Sequence, residues 1–567
     1  MADAGKRKNV AIAGVAAVLL VACVVAATLS VTNKKGGNSG GSGGGGQVTT
    51  STKAVHAICA TTDYKDACET SLVDAKNTSN PKELIKVAFN SAMKNLSDAI
   101  SHSAVLKEAA KDPRTSGALD TCKELLDDSV DDLKRSFSKV EDFDMDKIEE
   151  YADDLKVWIS GAITHQQTCL DAFENTTGDA GEKMKKLLKF AGELTSNGLA
   201  MVTQFSDVLQ TLEIPGMKRR LLSHEKKAGD DGGLPADGRR FLTADPASVK
   251  ANAVVAQDGS GDYKTINEAL KAVPEKNNDT YVIKIKAGVY KEQVMVPRKM
   301  NKIVFLGDGP TATKITGSLN FIDGVNTYRT ATVAIQGDGF MARDIGFENS
   351  AGASKHQAVA LRVSADNAIF YNCQIDAYQD TLYTHSYRQY YRNCVISGTI
   401  DFIFGDAAAV FQNCKMLVRK PLENQACMVT AQGRKDHRGV GGIVLQNCEI
   451  LPDEAIKGAN PPVQVFLGRP WKEYSRTIIM QSYIDGFIDP TGWSPWMGSF
   501  GLDTCWYAEY QNRGAGANTD KRVDWKGYQK QISPQVASQF TAGVYLQGDD
   551  WIKPTGIPYD SGMVKTA

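Results

Sequence analysis

Four times between residues 370 and 450 the chain repeats one short pattern. "FYNCQI", "YRNCVI", "FQNCKM" and "LQNCEI" place an Asn-Cys pair at 372, 393, 413 and 447, at intervals of 21, 20 and 34 residues. Self-similarity at about 20 residues marks a solenoid, in which no single unit can bury its apolar face and stacking supplies the core. The runs in this half of the chain are short and β-rich ("YVIKIKAGVY", "KIVFLGD", "ATVAIQG") and are divided by Gly and Asp, so the repeating unit is built of strands. The expected architecture is a parallel β-helix, with Asn and Cys stacked in ladders inside the coils. Neighbouring coils lie about 4.8 Å apart, which brings Cys394 and Cys414 within reach of a disulfide.

The same period acts on two aspartates. In "YQDTLYTHSYRQYYRNCVISGTIDFIFG" Asp380 follows Cys373 by seven residues and Asp401 follows Cys394 by seven. Equal phase in successive coils puts the two carboxylates about 5 Å apart on one sheet surface. Like charges at that distance raise at least one pKa, leaving one group as an acid and the other ionised as base or nucleophile. Ladders of Asp and Asn also serve structure in solenoids. The neighbouring rings Tyr378, Tyr383, Phe402 and Phe404 suit either a sugar-binding cleft or the core.

Two chemistries fit such a pair. One is retaining glycoside hydrolysis, whose carboxyls sit at about that separation. The other is ester hydrolysis through an acyl-enzyme, where one Asp attacks and the other protonates the departing alkoxide. The ester route needs hydrogen-bond donors for an oxyanion, and Gln379 and Gln357 are neutral donors in the right neighbourhood. It also needs a cation beside the nucleophile; Arg469 in "FLGRPW", followed by Trp471, is the candidate. A Ser-His-Asp triad has little support, since residues beyond 250 hold only His356, His385 and His437 and no serine elbow.

The rest of the chain divides by texture. Residues 1–9 form a basic tail with Lys6, Arg7 and Lys8. Residues 10–31 are an uncharged run long enough to cross a bilayer as a helix, read as a signal anchor, with a long cleaved signal peptide as the alternative. Residues 32–53 are a Gly-rich linker. From 54 to 214 apolar residues recur at helical spacing (Ile85, Phe89, Met93, Leu96 and Ile100 first), giving an all-α four-helix bundle. Cys59 with Cys68, and Cys122 with Cys169, are its natural disulfides in the secretory lumen. Residues 215–242 are a polar linker holding two tetrads, Arg219-Arg220-Leu221-Leu222 and Arg239-Arg240-Phe241-Leu242, expected to meet a processing protease. Sequons at Asn77, Asn95, Asn175 and Asn278 offer glycosylation sites. The formal net charge of −1 gives no basic domain and argues against nucleic acid; no Cys-x-x-Cys pair appears, so no metal site is expected.

"AGVYKE", "KHQAVALR", "YQDTLY", "GTIDFIFG" and "FLGRPW" occur in that order across residues 287 to 471. Together they resemble the plant pectin methylesterases over essentially all of residues 243–567, and the helical segment resembles the inhibitor-type pro-region many of them carry. The resemblance implies a right-handed parallel β-helix that hydrolyses C6 methyl esters of homogalacturonan without a cofactor. It makes Asp401 the nucleophile and Asp380 the acid that releases methanol and then the base for water. Gln379 and Gln357 would stabilise the intermediate, Arg469 would bond Asp401 and substrate, Trp471 would stack on a sugar ring, and Thr332 matches a substrate-contacting position. It further implies an autoinhibitory pro-region, cleavage at the Arg-Arg tetrads, proteinaceous inhibitors as candidate partners, and action in the cell wall; the apolar run 10–31 adds a secretory-pathway membrane for the precursor. A glycosidase or lyase on the same scaffold, or a non-enzymatic pectin-binding or inhibitor protein, are the rival readings.

Overall fold

The structure, a computed structural model, describes residues 50–75, 78, 81–109, 112–141, 148–211, 249–274 and 279–565. The expected signal anchor, Asn77, Asn278 and both Arg-Arg tetrads lie outside them. Among the described residues no helix is long and apolar enough to cross a membrane. Cα packing divides the chain into two compact units. Among the described residues, one takes those within 50–99, 130–159 and 185–211, the other those within 100–129, 160–184 and 249–565.

The helical segment contains α1 (Thr50–Cys59), α2 (Lys65–Ser71), α3 (Pro81–Ala109), α4 (Pro113–Glu141), α5 (Ile148–Asp171) and α6 (Ala180–Thr211). In the first unit Cys59 and Cys68 form a disulfide and pack with Leu72, Leu84, Ala88 and Met201. The buried stripe of α3 is Leu84, Ala88, Phe89, Ala92, Leu96 and Ala99, while Ile85 and Met93 are only half-buried. The expected stripe was therefore rotated by part of a turn. Alanines at every fourth or third position carry little apolar area but allow close helix approach, and a reading weighted to large side chains passes over them.

In the second unit Cys122 of α4 is bonded to Cys169 of α5, as its place on facing helices implied. Pro113 opens α4 at a position where a missing N–H removes no helical bond, and Asp112 accepts from Thr115 N at 2.9 Å.

The remainder of that unit is a parallel β-helix of three sheets with eleven, eight and seven strands. Each coil passes through the sheets in that order: Ala368–Tyr371, Gln374–Asp376 and Leu382–Thr384 make one coil, and Arg388–Arg392, Val395–Gly398 and Ile403–Gly405 the next. The turn from the eleven-stranded to the eight-stranded sheet is made in two residues, and the first must be left-handed. Asn372, Asn393, Asn413 and Asn447 hold it with φ of 52°, 54°, 54° and 52°. Asn tolerates that region because its short amide bonds locally. Asp344, Gln481 and Gln511 take the same bend with φ between 51° and 56°, so the corner extends beyond the four copies visible as Asn-Cys. The amides bond up the stack: Asn447 Nδ2 donates to Asn413 Oδ1 at 2.8 Å, and Asn372 Nδ2 donates to Asp344.

The next residue of each corner points inward, and Cys373, Cys394, Cys414 and Cys448 are all buried. The expected Cys394–Cys414 disulfide is not formed; both are free thiols. Cys394 Sγ donates to Phe370 O at 3.4 Å and Cys414 Sγ to Tyr391 O at 3.6 Å, while Cys394 N donates to Cys414 Sγ at 3.4 Å, so the neighbouring thiols interact through hydrogen bonds and not through a covalent bond. Beside them Phe370, Tyr391 and Phe411 stack with centroids 4.9 and 4.4 Å apart. A short helix, α7 (Ile266–Lys271), covers the first coils. Its Thr265/Glu268 capping box is intact, and it buries Ile266, Ala269 and Leu270 in the central core. The outer face of the eleven-stranded sheet is buried as well, under Phe540, Ala542, Leu546, Ile552 and Ile557. Both of these cores are made only of residues from 249 onward, so the β-helix carries its own core without the helical segment.

Candidate active site

Leu382 pairs with Ile403 across neighbouring coils of the seven-stranded sheet. Asp380 and Asp401, each two residues earlier, are therefore stacked at one corner, as the 21-residue interval predicted. Both have left-handed backbones, φ 63° and 51°, and both are buried, 8% and 5% exposed. Asp380 N donates to Ile400 O at 3.0 Å and fixes the stack. Gly398 makes room for it: a Cβ there would lie 2.2 Å from that of Phe402 and 2.6 Å from Thr381 Oγ1, the residues next to the two aspartates.

The pair is electrostatically unequal. Arg469 donates to Asp401 through Nε at 2.8 Å and Nη2 at 2.6 Å, a bidentate fork, and its guanidinium rests on the Trp496 ring at 4.3 Å. Burial drives the Asp401 pKa up and Arg469 pulls it back. Asp380 is pushed well above the usual carboxylate range by burial, then by the negative charges of Asp401 and Glu174, with Arg469 opposing from farther away. The arrangement keeps Asp401 the more readily ionised and Asp380 the more readily protonated.

Gln357 and Gln379 sit opposite each other on adjacent parallel coils, half-buried, one residue from Asp380 in the case of Gln379. Tyr383 and Phe404 stack at 4.2 Å on the outer face of the seven-stranded sheet, and Trp471 meets them edge-on at 6.3 and 5.8 Å. Gly433 permits this, since a Cβ there would lie 2.6 Å from the Trp471 ring. The other two rings noted beside the aspartates go elsewhere. Phe402 is in the core, and Tyr378 lies under Arg419, 3.8 Å from its guanidinium. Thr332 is buried with its hydroxyl donated to Glu348 O at 2.8 Å, a bond between neighbouring coils. Of the described sequons, Asn175 is exposed and Asn95 donates to Ser91 O within α3.

Parts of α4 and α5 belong to the same compact unit and touch this face. Thr164 Oγ1 donates to Asp406 at 2.8 Å, Thr168 Oγ1 lies 2.9 Å from His385 Nε2, and Lys472, next to Trp471, donates to Asp171 at 2.6 Å. Asp406, pushed up to about 6 by burial, was not anticipated, nor were His385 as a contact, Tyr328 or Trp496. Asp406 falls five residues after Asp401, in phase with His385 after Asp380, so the same period could have marked it.

A pectinesterase family model matches residues 252–549, and a plant invertase/pectin methylesterase inhibitor model matches residues 53–201. The chain belongs to the pectinesterase family. It is 53% identical over 563 residues to the putative pectinesterase/pectinesterase inhibitor 28 of Arabidopsis thaliana, spanning 99% of this chain and 76% of that one. A pectinesterase of Petunia integrifolia is 56% identical over 384 residues, all of that chain and 67% of this one. Among solved structures, the pectin methylesterase from carrot is 54% identical with a TM-score of 0.55, covering 99% of its own chain and 56% of this one. The protein is thus a pectinesterase, a carboxylic ester hydrolase, preceded by an inhibitor-like helical region.

Proposed function

We propose that Asp401 attacks the C6 carbonyl carbon of a methyl-esterified galacturonate, forming a tetrahedral oxyanion that the side-chain amides of Gln357 and Gln379 stabilise. Asp380 gives its proton to the methoxy oxygen as the C–O bond breaks, methanol leaves, and Asp401 carries the acyl group as an anhydride. Asp380, now ionised, takes a proton from water; the hydroxide equivalent attacks the acyl carbon, releasing the free acid and Asp401 carboxylate. The observation that carries this reading is the unequal pair: one buried carboxylate locked in a bidentate arginine fork, its stacked neighbour raised by burial and like charge.

The contacts of Thr164, Thr168 and Asp171 with Asp406, His385 and Lys472 support an inhibitory helical region that lies over the cleft of an uncut precursor. Removal at an Arg-Arg tetrad and action in the cell wall complete the proposal. The test is to incubate residues 243–567 with methylated pectin. Methanol should appear without new reducing ends or unsaturated products, and the uncut chain should be much slower. Chain cleavage without methanol overturns the esterase mechanism; full activity of a precursor with both Arg-Arg pairs replaced overturns the masking.

A further inference from the structure

One carboxylate in the cleft wall has a socket that the ester chemistry does not use. Asn326 caps the single turn Thr327–Arg329, its side chain accepting from Arg329 N, and that turn presents Tyr328 and Arg329 side by side. Glu124 of α4 lies against them. Its Oε1 accepts from Gln336 Nε2 at 2.8 Å and from the Tyr328 hydroxyl at 3.3 Å, and its Oε2 meets Arg329 Nη2 at 2.5 Å. All four residues belong to one compact unit, and Glu124 and Arg329 line a cavity of about 800 Å³ with Tyr328 and Gln336 buried behind them. Behind the socket sits a second cation. Arg362 is 1% exposed, stacks 3.5 Å from the centre of the Tyr328 ring, donates to Ser364 Oγ at 3.0 Å, and leaves its Nε without a partner. A buried guanidinium of this kind favours an anion nearby.

We infer that Gln336, Tyr328 and Arg329 form a subsite for the free carboxylate of an already de-esterified galacturonate, and that Glu124 occupies it in the precursor. The inference rests on the pectin-esterase reading. Three donors of complementary geometry and net positive charge match a carboxylate, whereas a methyl ester brings no charge and fewer acceptor sites. Burial raises the Tyr328 pKa, which keeps the hydroxyl a donor. Gln336 follows Val333–Ile335, two coils before the strand that follows Asp380, so the socket lies about 10 Å along the helix axis from the reacting pair. A polymer running along the cleft can fill both at once.

The experiment uses residues 243–567, which hold their own core, and an unmethylated oligogalacturonate as probe, with a fully methylated one beside it. Calorimetry should show that Arg329→Ala and Gln336→Ala each weaken the unmethylated probe about tenfold more than the methylated one. Tyr328→Phe, which keeps the ring under Arg362, should do the same to a lesser degree and guards against a folding defect in the other two. Equal weakening of both probes, or none, overturns the subsite and leaves the donors as partners of Glu124 alone. Methanol release is followed in the same samples. A parent protein that releases none, yet loses the unmethylated probe on Arg329→Ala, overturns the esterase reading and keeps the subsite.

Discussion

Two corners of the same coils bend through left-handed residues, and they spend that geometry in opposite ways. At the first, Asn372, Asn393, Asn413 and Asn447 set side chains above one another that both donate and accept, so the stack can satisfy itself. At the second, Asp380 and Asp401 stand one coil apart with side chains that, when ionised, can only accept. The first ladder bonds from Asn447 to Asn413 and from Asn372 to Asp344; the second is frustrated and is two residues long. The fold tolerates the frustration because Arg469 relieves one member and protonation relieves the other. Backbone strain at both corners is similar, so the chemistry lies in the choice of side chain and not in the bend.

The largest expected effect comes from removing the reactive half of the contrast. Asp401→Ala should lower methanol release by about 10⁴-fold or more on the proposed mechanism, because the nucleophile is gone and Asp380, held protonated by burial, is a poor replacement. A residual rate within tenfold of the parent would mean that water, not Asp401, attacks the ester, and the corner would then be only an electrostatic site.

Asp380→Asn makes the second corner more like the first, and should lower kcat by about 10² to 10⁴-fold through loss of the general acid. On the proposed mechanism the parent's rate needs Asp401 ionised and Asp380 protonated. It should fall as pH drops below the Asp401 pKa and fall again as pH rises through the raised Asp380 pKa. Arg469→Ala should move the acidic limb upward, since the cation that pulls Asp401 down is gone; an unmoved limb removes Arg469 from that role. Stability carries the opposite signature to an ordinary salt-bridged carboxylate. A folded pKa raised above the unfolded value means that the native state binds the proton more tightly. Asp380 therefore burdens the fold above its folded pKa, and that burden disappears as pH falls toward the unfolded value near 3.8. Thermal melts of Asp380→Asn should show a gain over the parent at neutral pH that shrinks in acid.

Much of this contrast could be read before any coordinates. The 21-residue interval located the aspartate pair because main-chain register in a solenoid is strict, and a period of one coil leaves little choice of neighbour. Arg469 was accessible only as a plausible cation, since 68 residues of intervening chain hide a contact that the sheet order makes direct. Tyr328, Gln336 and Arg362 escaped because their coils lack the Asn-Cys signature, and the bend in the coil of Arg362 is made by Asp344. The Cys394–Cys414 bond was expected for a sound reason, coil spacing, and failed because spacing fixes Cα positions but not the rotamer of a thiol with a carbonyl in reach.

The structural corner should respond to substitution in stability and not in rate. Asn413→Ala removes the acceptor of Asn447 Nδ2 and puts alanine at φ 54°, and should lower unfolding free energy by about 1–3 kcal/mol with kcat unchanged. Asn413→Gly keeps the backbone freedom and loses only the amide ladder, so the difference between the two variants, read from urea unfolding, separates strain from hydrogen bonding.

The smallest effect concerns the thiols beneath that corner. Alkylation of the unfolded, unreduced β-helix followed by mass measurement should label Cys373, Cys394, Cys414, Cys427, Cys448 and Cys505, all free in the fold. Cys394→Ala should then cost little more than a small buried group, about 1 kcal/mol. A label count short by two, with a larger loss for Cys394→Ala than for Cys373→Ala, would mean that a covalent tie supports the Asn ladder, and the first corner would owe its regularity to sulfur as well as to amide stacking.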